Sequence, residues 1–259
     1  MKVVILAGGQ KSTISNERED IPKPMAEIGG KPILWHIMRF FSAYGFNEFI
    51  ICGGYKVDMI KEYFMDYYIY QSDITVDLQT NTIQIHKNRT EDWKVTVVDT
   101  GLYTSTGQRV AKIQEYIEDD TFLLTYGDCL SNIPVDKMLE FHRTQGKMVT
   151  MAVAKPTGRN EVVAMDEDGQ VAGRREAEKA GEAWTNACIY VMNKKVFGIL
   201  NGNYGLEQLL EENLTEKKQL IVFKHEGFWT PVETYRDRVN MENLWNAGVA
   251  PWLGKERGA

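Results

Sequence analysis

The chain has 259 residues, of which 43% are hydrophobic and 25% charged, a composition typical of a folded globular protein rather than a disordered or fibrous one. Lysine and arginine number 30 and acidic residues 36, and the resulting net charge of −6 gives no electrostatic support for a nucleic-acid partner. No apolar run approaches the roughly 20 residues of a membrane helix. The cysteines (Cys52, Cys129 and Cys188) are too far apart for metal spacing or a disulfide framework. We therefore expect a cytoplasmic protein without a membrane partner.

The first half of the chain alternates between strand and helix patterns. Apolar, β-branched runs that end in glycines predict strands at residues 2–7 and 49–52, and periodic apolar positions predict helices at 32–44 and 57–67. Pro32 is placed as a first helical residue. Strands that alternate with helices indicate an α/β fold, a Rossmann-like, mostly parallel sheet flanked by helices on both faces.

The rest of the chain adds hairpins to this pattern. Alternating residues at 74–78 and 82–85, with Asn81 near the turn, predict a hairpin insertion. Further strands are predicted at residues 95–99, 121–126, 149–154 and 185–192, and further helices at 107–117 and 233–247. Residues 157–183 are polar and expected to be poor in strands, with an Asp168-Gly169 hairpin turn. No repeat or linker divides the chain, so we expect a single domain over residues 1–259.

Three short segments could carry chemistry. Gly8 and Gly9 follow the first strand, where backbone N–H groups can approach an anion at the ligand edge of a parallel sheet. Lys23 is held between two prolines, a stiff arrangement that suits a point charge aimed at a phosphate. Asp128 ends a buried strand, where a carboxylate can ligate the Mg²⁺ of a bound phosphate. Taken singly, these segments are also consistent with a tight turn, a surface turn and a capping residue.

Taken in order, the segments resemble the sugar-phosphate nucleotidyltransferases. The resemblance rests on Gly8-Gly9, on Pro-Lys-Pro-Met at 22–25, on Gly-Lys-Pro-Ile at 30–33 and on Gly127-Asp128. It is closest to the cytidylyltransferases of that family and continues through residues 27–38, 98–101, 122–128 and 227–252. It implies the nucleotidyltransferase fold and a Mg²⁺-dependent reaction in which an acceptor phosphate attacks the α-phosphorus of CTP and releases pyrophosphate. Glucose-1-phosphate is the acceptor that it implies.

The resemblance also assigns residues. It implies catalytic roles for Lys23, Arg109 and Asp128, and metal ligation by Asp128 and Glu233. The nucleotide-binding residues that it implies are Leu6, Ala7, Gly8, Gly9, Gln10, Lys11, Lys23, Thr106, Arg109 and Gly127. The positions that correspond to the acceptor side are Arg159, Glu176, Lys179 and Asn186. His36, Trp229 and Trp245 are expected to pack in the core rather than to take part in the reaction.

The sequence departs from the family pattern around the expected site. Gln10-Lys11-Ser12-Thr13 replaces a loop that carries a further glycine and an arginine, and Glu233 stands where the family has an aspartate. Glu176-Ala177-Glu178 replaces a motif whose lysine binds the sugar phosphate, and Lys179 lies two positions late. A lost charge-assisted contact is worth about 1.5–3 kcal/mol, or roughly 10- to 150-fold in affinity.

Three interpretations remain open at this point. The chain could transfer a cytidylyl group to glucose-1-phosphate, or to a different acceptor such as another sugar or polyol phosphate, a phosphonate or a phosphorylated amino acid. It could instead be a catalytically silent, nucleotide-binding homo-oligomer. The family assembles through its hairpin insertion, so residues 68–90 are expected to serve oligomerisation.

Overall fold

The computed structural model describes residues 1–9, 14, 20–155, 162–165, 169–175 and 183–253. Its strands are β1 (Val3–Ala7), β2 (Glu27–Ile28), β3 (Lys31–Pro32), β4 (Glu48–Gly53), β5 (Ser72–Asp77), β6 (Thr82–Asn88), β7 (Lys94–Asp99), β8 (Thr121–Tyr126), β9 (Cys129–Ser131), β10 (Val149–Ala154), β11 (Val162–Met165), β12 (Val171–Arg175), β13 (Thr185–Asn193), β14 (Leu220–His225) and β15 (Trp229–Pro231). Its α-helices are α1 (Ile33–Ser42), α2 (Val57–Tyr70), α3 (Thr106–Ala111), α4 (Val135–Gln145), α5 (Leu206–Leu214) and α6 (Tyr235–Asn246). Short 3₁₀ helices cover Lys23–Met25, Gln114–Tyr116, Lys194–Ile199 and Pro251–Leu253.

Seven strands form the central sheet, in the order β14-β10-β13-β8-β1-β4-β7. The pairs β1–β4, β1–β8, β4–β7 and β10–β14 are parallel, and only β13 runs antiparallel to its neighbours within this sheet. This is the mostly parallel sheet that the sequence predicts. The carboxyl ends of β1, β4, β7 and β8 consequently lie along one edge of the sheet.

Helices cover both faces of this sheet, and β1 shows why. Val3, Ile5 and Ala7 belong to a core cluster that includes residues of α1 and α4. Val4 and Leu6 belong to a second cluster with residues of α3 and α5. Successive side chains of a strand point to opposite faces, so a strand buried on both faces is apolar throughout, and all five residues of β1 are buried.

Most of the predicted elements are confirmed, with three corrections. Helix α1 begins at Ile33, so Pro32 is its N-cap rather than its first helical residue. The helix predicted at 107–117 ends at Ala111 and is followed by a separate 3₁₀ turn. The expectation of a strand-poor segment at 157–183 was wrong, because β11 and β12 pair there as an antiparallel hairpin. β11 is the apolar run Val-Val-Ala-Met, a local strand pattern that the polar character of the whole segment concealed.

The hairpin of β5 and β6 projects an apolar face to solvent. Ile74 pairs with Ile85, and Val76 pairs with Ile83, so the four side chains share one face. All four are exposed. Asn81 adopts φ +52°, the left-handed conformation that asparagine tolerates in turns. Within the described residues, no helix combines the length and apolar character needed to cross a membrane.

Candidate active site

The glycine at the end of β8 allows the sheet edge to be packed closely. A Cβ on Gly127 would lie 2.9 Å from Pro24 Cγ and 3.1 Å from the Leu6 carbonyl oxygen, too close for any other residue without rearrangement. Pro24 therefore packs directly against the ends of β1 and β8. Since Pro24 follows Lys23 in a single 3₁₀ turn, this packing carries Lys23 to the carboxyl edge of the sheet.

Lys23 and Asp128 form an ion pair at this edge. Lys23 Nζ donates to Asp128 Oδ2 at 2.9 Å, and both side chains are about three-quarters buried. Burial alone would lower the pKa of Lys23, but the negative charge and hydrogen bond of Asp128, with a smaller contribution from Glu233, outweigh it and raise the pKa. The lysine therefore stays charged in the folded protein.

Arg109 is engaged mainly with the backbone. It is only 4% exposed, and Nη1 donates to the Gly101 carbonyl at 2.7 Å and to Thr100 Oγ1 at 2.6 Å. Nη1 also approaches the Gly53 carbonyl at 3.2 Å, and Nη2 donates to the Leu102 carbonyl at 3.2 Å. Burial lowers the pKa of the guanidinium. Arg109 thus joins the end of β4 to the loop that follows β7.

The glycine loop after β1 lies against this guanidinium. A Cβ on Gly8 would fall 2.3 Å from Arg109 Nη1, so a side chain at this position would displace the arginine. No described atom lies within 4 Å of a Cβ added to Gly9, which is exposed, whereas Gly8 is buried beneath Arg109. Within the described part of the chain, the backbone at Gly9 is therefore accessible from the solvent side.

A cavity of about 380 Å³ lies between these groups. It is lined by the predicted metal ligand Asp128 and by eight of the predicted nucleotide-binding residues: Leu6, Ala7, Gly8, Gly9, Lys23, Thr106, Arg109 and Gly127. The loop after β7 supplies further walls, including Tyr103 and Thr104. The volume lies within the range of small-molecule sites. We call this space the nucleotide cavity. Gln10 and Lys11 lie outside the described residues.

A second cavity, also of about 380 Å³, adjoins the first through Tyr126 and Asp128, which line both. Asn186 and Glu233, predicted for the acceptor side and the metal, line this second cavity. We call it the acceptor cavity. Arg159, Glu176 and Lys179 lie outside the described residues.

A short strand pair brings the two metal candidates to the same cavity. Pro231 of β15 pairs with Cys129 of β9, and the Val232 N–H donates to the Asp128 carbonyl at 2.7 Å. Asp128 and Glu233 therefore flank one antiparallel ladder, although 105 residues separate them in sequence. Sequence order alone does not place them together, and the ladder between β9 and β15 is the element that does.

These carboxylates fit a magnesium ion that arrives with a nucleotide. Within the described residues, no group of three or more His, Cys, Asp or Glu side chains forms a metal cluster. Mg²⁺ is ordinarily held by one or two carboxylates, substrate phosphates and water rather than by an all-protein cage. Two carboxylates beside an open cavity match that donor set. A structural zinc site would need four protein ligands.

An irregularity in β13 shapes the acceptor cavity. The β10–β13 register shifts between Met151 and Val153, and Cys188 adopts φ +61°. The Cys188 N–H donates to Asn186 Oδ1 at 2.8 Å, and Trp229 Nε1 donates to the Ala187 carbonyl at 3.0 Å. A non-glycine residue in the left-handed region costs about 1–2 kcal/mol. The bulge directs Cys188 into the cavity wall.

Glu207 and Glu211 also line the acceptor cavity, although neither was expected there from the sequence. Their spacing of four residues on α5 places them on one helix face. That spacing was the available signal, but the helix itself was not predicted. His36 is fully buried as expected, Trp229 is buried in the core and also lines the acceptor cavity, and Trp245 packs against the core.

Comparison with known proteins agrees with this architecture. The chain is 43% identical to glucose-1-phosphate cytidylyltransferase of Salmonella typhi over 255 residues, which cover 97% of this chain and 98% of that protein. It is 39% identical over 254 residues to a probable glucose-1-phosphate cytidylyltransferase of Bacillus subtilis (strain 168), covering 97% and 99%. The solved structure of HddC from Yersinia pseudotuberculosis shares the fold, with a TM-score of 0.73 at 21% identity, over 94% of this chain and 99% of that one. Residues 2–243 match the nucleotidyl transferase family, and the chain belongs to that family.

Proposed function

We propose that this protein transfers the cytidylyl group of CTP to a sugar-1-phosphate, with glucose-1-phosphate as its acceptor. The observation that carries the proposal is the pair of adjoining cavities that share Asp128, with Lys23 at the boundary of the first. Two cavities side by side suit a reaction between two phosphorylated substrates. The 43% identity to a glucose-1-phosphate cytidylyltransferase over nearly the whole chain supports the choice of CTP and of the acceptor.

In this proposal the acceptor phosphate is the nucleophile. One of its oxygens forms a bond to the α-phosphorus of CTP, the bond from that phosphorus to the β-bridging oxygen breaks, and pyrophosphate leaves. No protein nucleophile is needed, so the chain contributes alignment and positive charge. The Gly8-Gly9 backbone borders the phosphates, and Lys23 stabilises the charge that develops at the α-phosphate.

Asp128 and Glu233 are the residues that would hold Mg²⁺, which neutralises charge on the phosphates when bound. Asp128 lies in both cavities, so a carboxylate there can serve the metal at the junction of the two substrates. Lys23 contacts the same carboxylate at 2.9 Å, which places its ammonium beside that junction. Arg109 supports the loop of the nucleotide cavity through backbone carbonyls rather than through a free guanidinium edge.

Pyrophosphate release tests the proposal. The purified chain is incubated with Mg²⁺, CTP and one acceptor at a time: glucose-1-phosphate, other sugar-1-phosphates, polyol phosphates, phosphonates and phosphorylated amino acids. Release with glucose-1-phosphate above all other acceptors is the expected result. Release only with a phosphonate or a phosphorylated amino acid contradicts the proposed acceptor. CTP binding without release from any acceptor favours the silent nucleotide-binding interpretation.

We also propose that the protein is a homo-oligomer that assembles through the insertion at residues 68–90. The exposed apolar face of the β5–β6 hairpin supports this, because contiguous apolar surface of this kind marks interaction sites. Val76→Lys together with Ile83→Lys places two charges at one cross-strand pair of that face. Sedimentation analysis is expected to give a smaller species for this double variant. An unchanged species would contradict the assignment. The free thiols of all three cysteines support a cytoplasmic location.

A further inference from the structure

Glu207 is held in the wall of the acceptor cavity by donors that converge on a single oxygen. The Tyr126 hydroxyl, the Tyr190 hydroxyl at 3.0 Å and Asn186 Nδ2 at 3.4 Å all donate to Oε1. No described residue donates to Oε2. The carboxylate is therefore fixed in orientation, and with respect to the described residues its Oε2 retains its capacity to accept hydrogen bonds.

The direction of these hydrogen bonds is determined by the groups themselves. Burial, together with the charge of Glu207, raises the pKa of Tyr126 and Tyr190 well above 10, so both phenols keep their protons. Tyr190 accepts from Asn186 Nδ2 at 2.5 Å and can therefore donate its single proton to Glu207. The chain from Asn186 through Tyr190 ends at Oε1 and leaves Oε2 as the acceptor that Glu207 offers to the cavity.

The charge of this wall determines which part of a substrate can lie against it. Glu211, one turn further along α5, lines the same cavity. A carboxylate such as that of Glu207 repels a phosphate group and favours the neutral, hydroxyl-bearing part of a sugar phosphate. Lys23 lines the nucleotide cavity and Asp128 lies where the two cavities meet, which is where the phosphate must react. The wall thus orients a sugar phosphate with its phosphate toward Lys23.

We infer that Glu207 binds a ring hydroxyl of the acceptor sugar through Oε2 and is a specificity-determining residue. This inference rests on the proposed transfer to a sugar phosphate. Asn186 is then a positioning residue, because its amide is already bonded to Tyr190, to Glu207 and to the Cys188 N–H. It acts on the acceptor through the orientation of Glu207.

Glu207→Gln tests this assignment with little change in shape. The amide oxygen can accept from the same three donors, which leaves the NH₂ group where Oε2 was and exchanges an acceptor for a donor. We expect KM for glucose-1-phosphate to rise roughly 10-fold or more, the range of a lost charge-assisted hydrogen bond. KM for CTP should stay within about twofold, because Glu207 does not line the nucleotide cavity. The matched control is Glu212→Gln, an exposed residue of the same helix bonded to Gln208, which should change neither constant.

Singly deoxygenated analogues of glucose-1-phosphate identify the hydroxyl and provide the decisive readout. In the wild type, one analogue should show the same rise in KM as Glu207→Gln causes with the parent compound. In Glu207→Gln, that analogue and the parent should differ by no more than about twofold, because the contact is already lost. If every analogue loses the same factor in both proteins, Glu207 touches no hydroxyl and the inference is overturned.

Tyr190→Phe keeps the test valid if Glu207→Gln lowers the melting temperature strongly. It removes one donor to Oε1 but keeps the ring, and it should raise KM for glucose-1-phosphate while leaving KM for CTP unchanged. A rise in both constants would indicate a purely structural role and overturn the inference. A wild type that turns over no sugar-1-phosphate overturns the proposed function together with this inference, whereas turnover without the analogue coupling overturns the inference alone.

Discussion

Replacement of Lys23 by methionine perturbs the proposed chemistry with little change in packing. Methionine retains most of the apolar stem and removes the ammonium that lies 2.9 Å from Asp128 Oδ2. Loss of one preorganised charge-stabilising group in a transition state costs about 10²- to 10³-fold in kcat, or roughly 2.7–4 kcal/mol. Folding should suffer less. Both side chains are about three-quarters buried, so leaving Asp128 without its partner should cost about 1–3 kcal/mol and lower Tm by several degrees.

The assay is pyrophosphate release at saturating CTP and acceptor, with thermal unfolding measured on the same samples. Lys31→Met is a suitable control, because Lys31 is a half-buried lysine with one polar partner, Gln71 Oε1 at 2.8 Å, and lies outside both cavities. The control should retain kcat. A Lys23→Met variant with kcat within about tenfold of the wild type would refute the electrostatic role. A large decrease of Tm in that variant would instead show that Lys23 mainly stabilises the fold.

Three further predictions concern other parts of the molecule. Arg109→Lys keeps a positive charge but loses the guanidinium fork that holds the Gly101 and Leu102 carbonyls, so KM for CTP should rise roughly 10-fold or more. An unchanged KM would show that a positive charge alone is sufficient for CTP binding. Cys188→Gly should be at least as stable toward urea as the wild type, whereas Cys188→Val should lose about 1–2 kcal/mol, because φ +61° disfavours β-branched side chains. Equal stability of the two variants would contradict a strained backbone at this position. Burial lowers the pKa of His36 in the folded protein below the unfolded value near 6.5, so the contribution of the neutral ring to stability is complete above that pH. The urea midpoint should therefore fall as the pH drops from about 7.5 to 5.5, and it should fall less in a His36→Gln variant.

The histidine prediction follows from a fixed tautomer. Trp252 Nε1, which can only donate, donates to His36 Nδ1 at 3.2 Å, and His36 Nε2 lies 2.8 Å from the Ile28 carbonyl, which can only accept. The ring is therefore neutral with its proton on Nε2. A second proton would break the bond to Trp252 inside a buried aromatic cluster. His36→Gln retains a polar side chain but has no titration in this range.

The parts of the fold that could be predicted from sequence are those set by local pattern. The apolar, β-branched residues of β1 and the glycines after it define a buried strand and its end, and the alternation in the β5–β6 segment defines a hairpin. Short strands such as β9 and β15 escaped prediction, because three residues carry no periodicity and their pairing depends on contacts about 100 residues apart. Helix α5 also escaped prediction, and with it Glu207.

The candidate site likewise has one part that follows from local sequence pattern and one that depends on tertiary contacts. That Gly8, Lys23 and Gly127 line one cavity could be predicted, because glycines and prolines mark the loops at the ends of β1 and β8 and in the turn between them. The acceptor side depends on a bulge in β13 and on which face of α5 meets Tyr126, and both are tertiary properties. Asn186, expected on the acceptor side, lines that cavity and also bonds to Tyr190 and Cys188. A residue-by-residue resemblance does not reveal that a polar side chain is already engaged.

The most direct test of the central claim is a ³¹P NMR spectrum of the products formed from CTP and glucose-1-phosphate in the presence of Mg²⁺. Attack of the sugar phosphate on the α-phosphorus predicts the two coupled resonances of the diphosphate in a CDP-sugar, together with one equivalent of pyrophosphate. Formation of CDP and inorganic phosphate would show cleavage at the wrong phosphorus. Unchanged CTP and glucose-1-phosphate, despite measurable CTP binding, would contradict the assignment of this chain as a glucose-1-phosphate cytidylyltransferase.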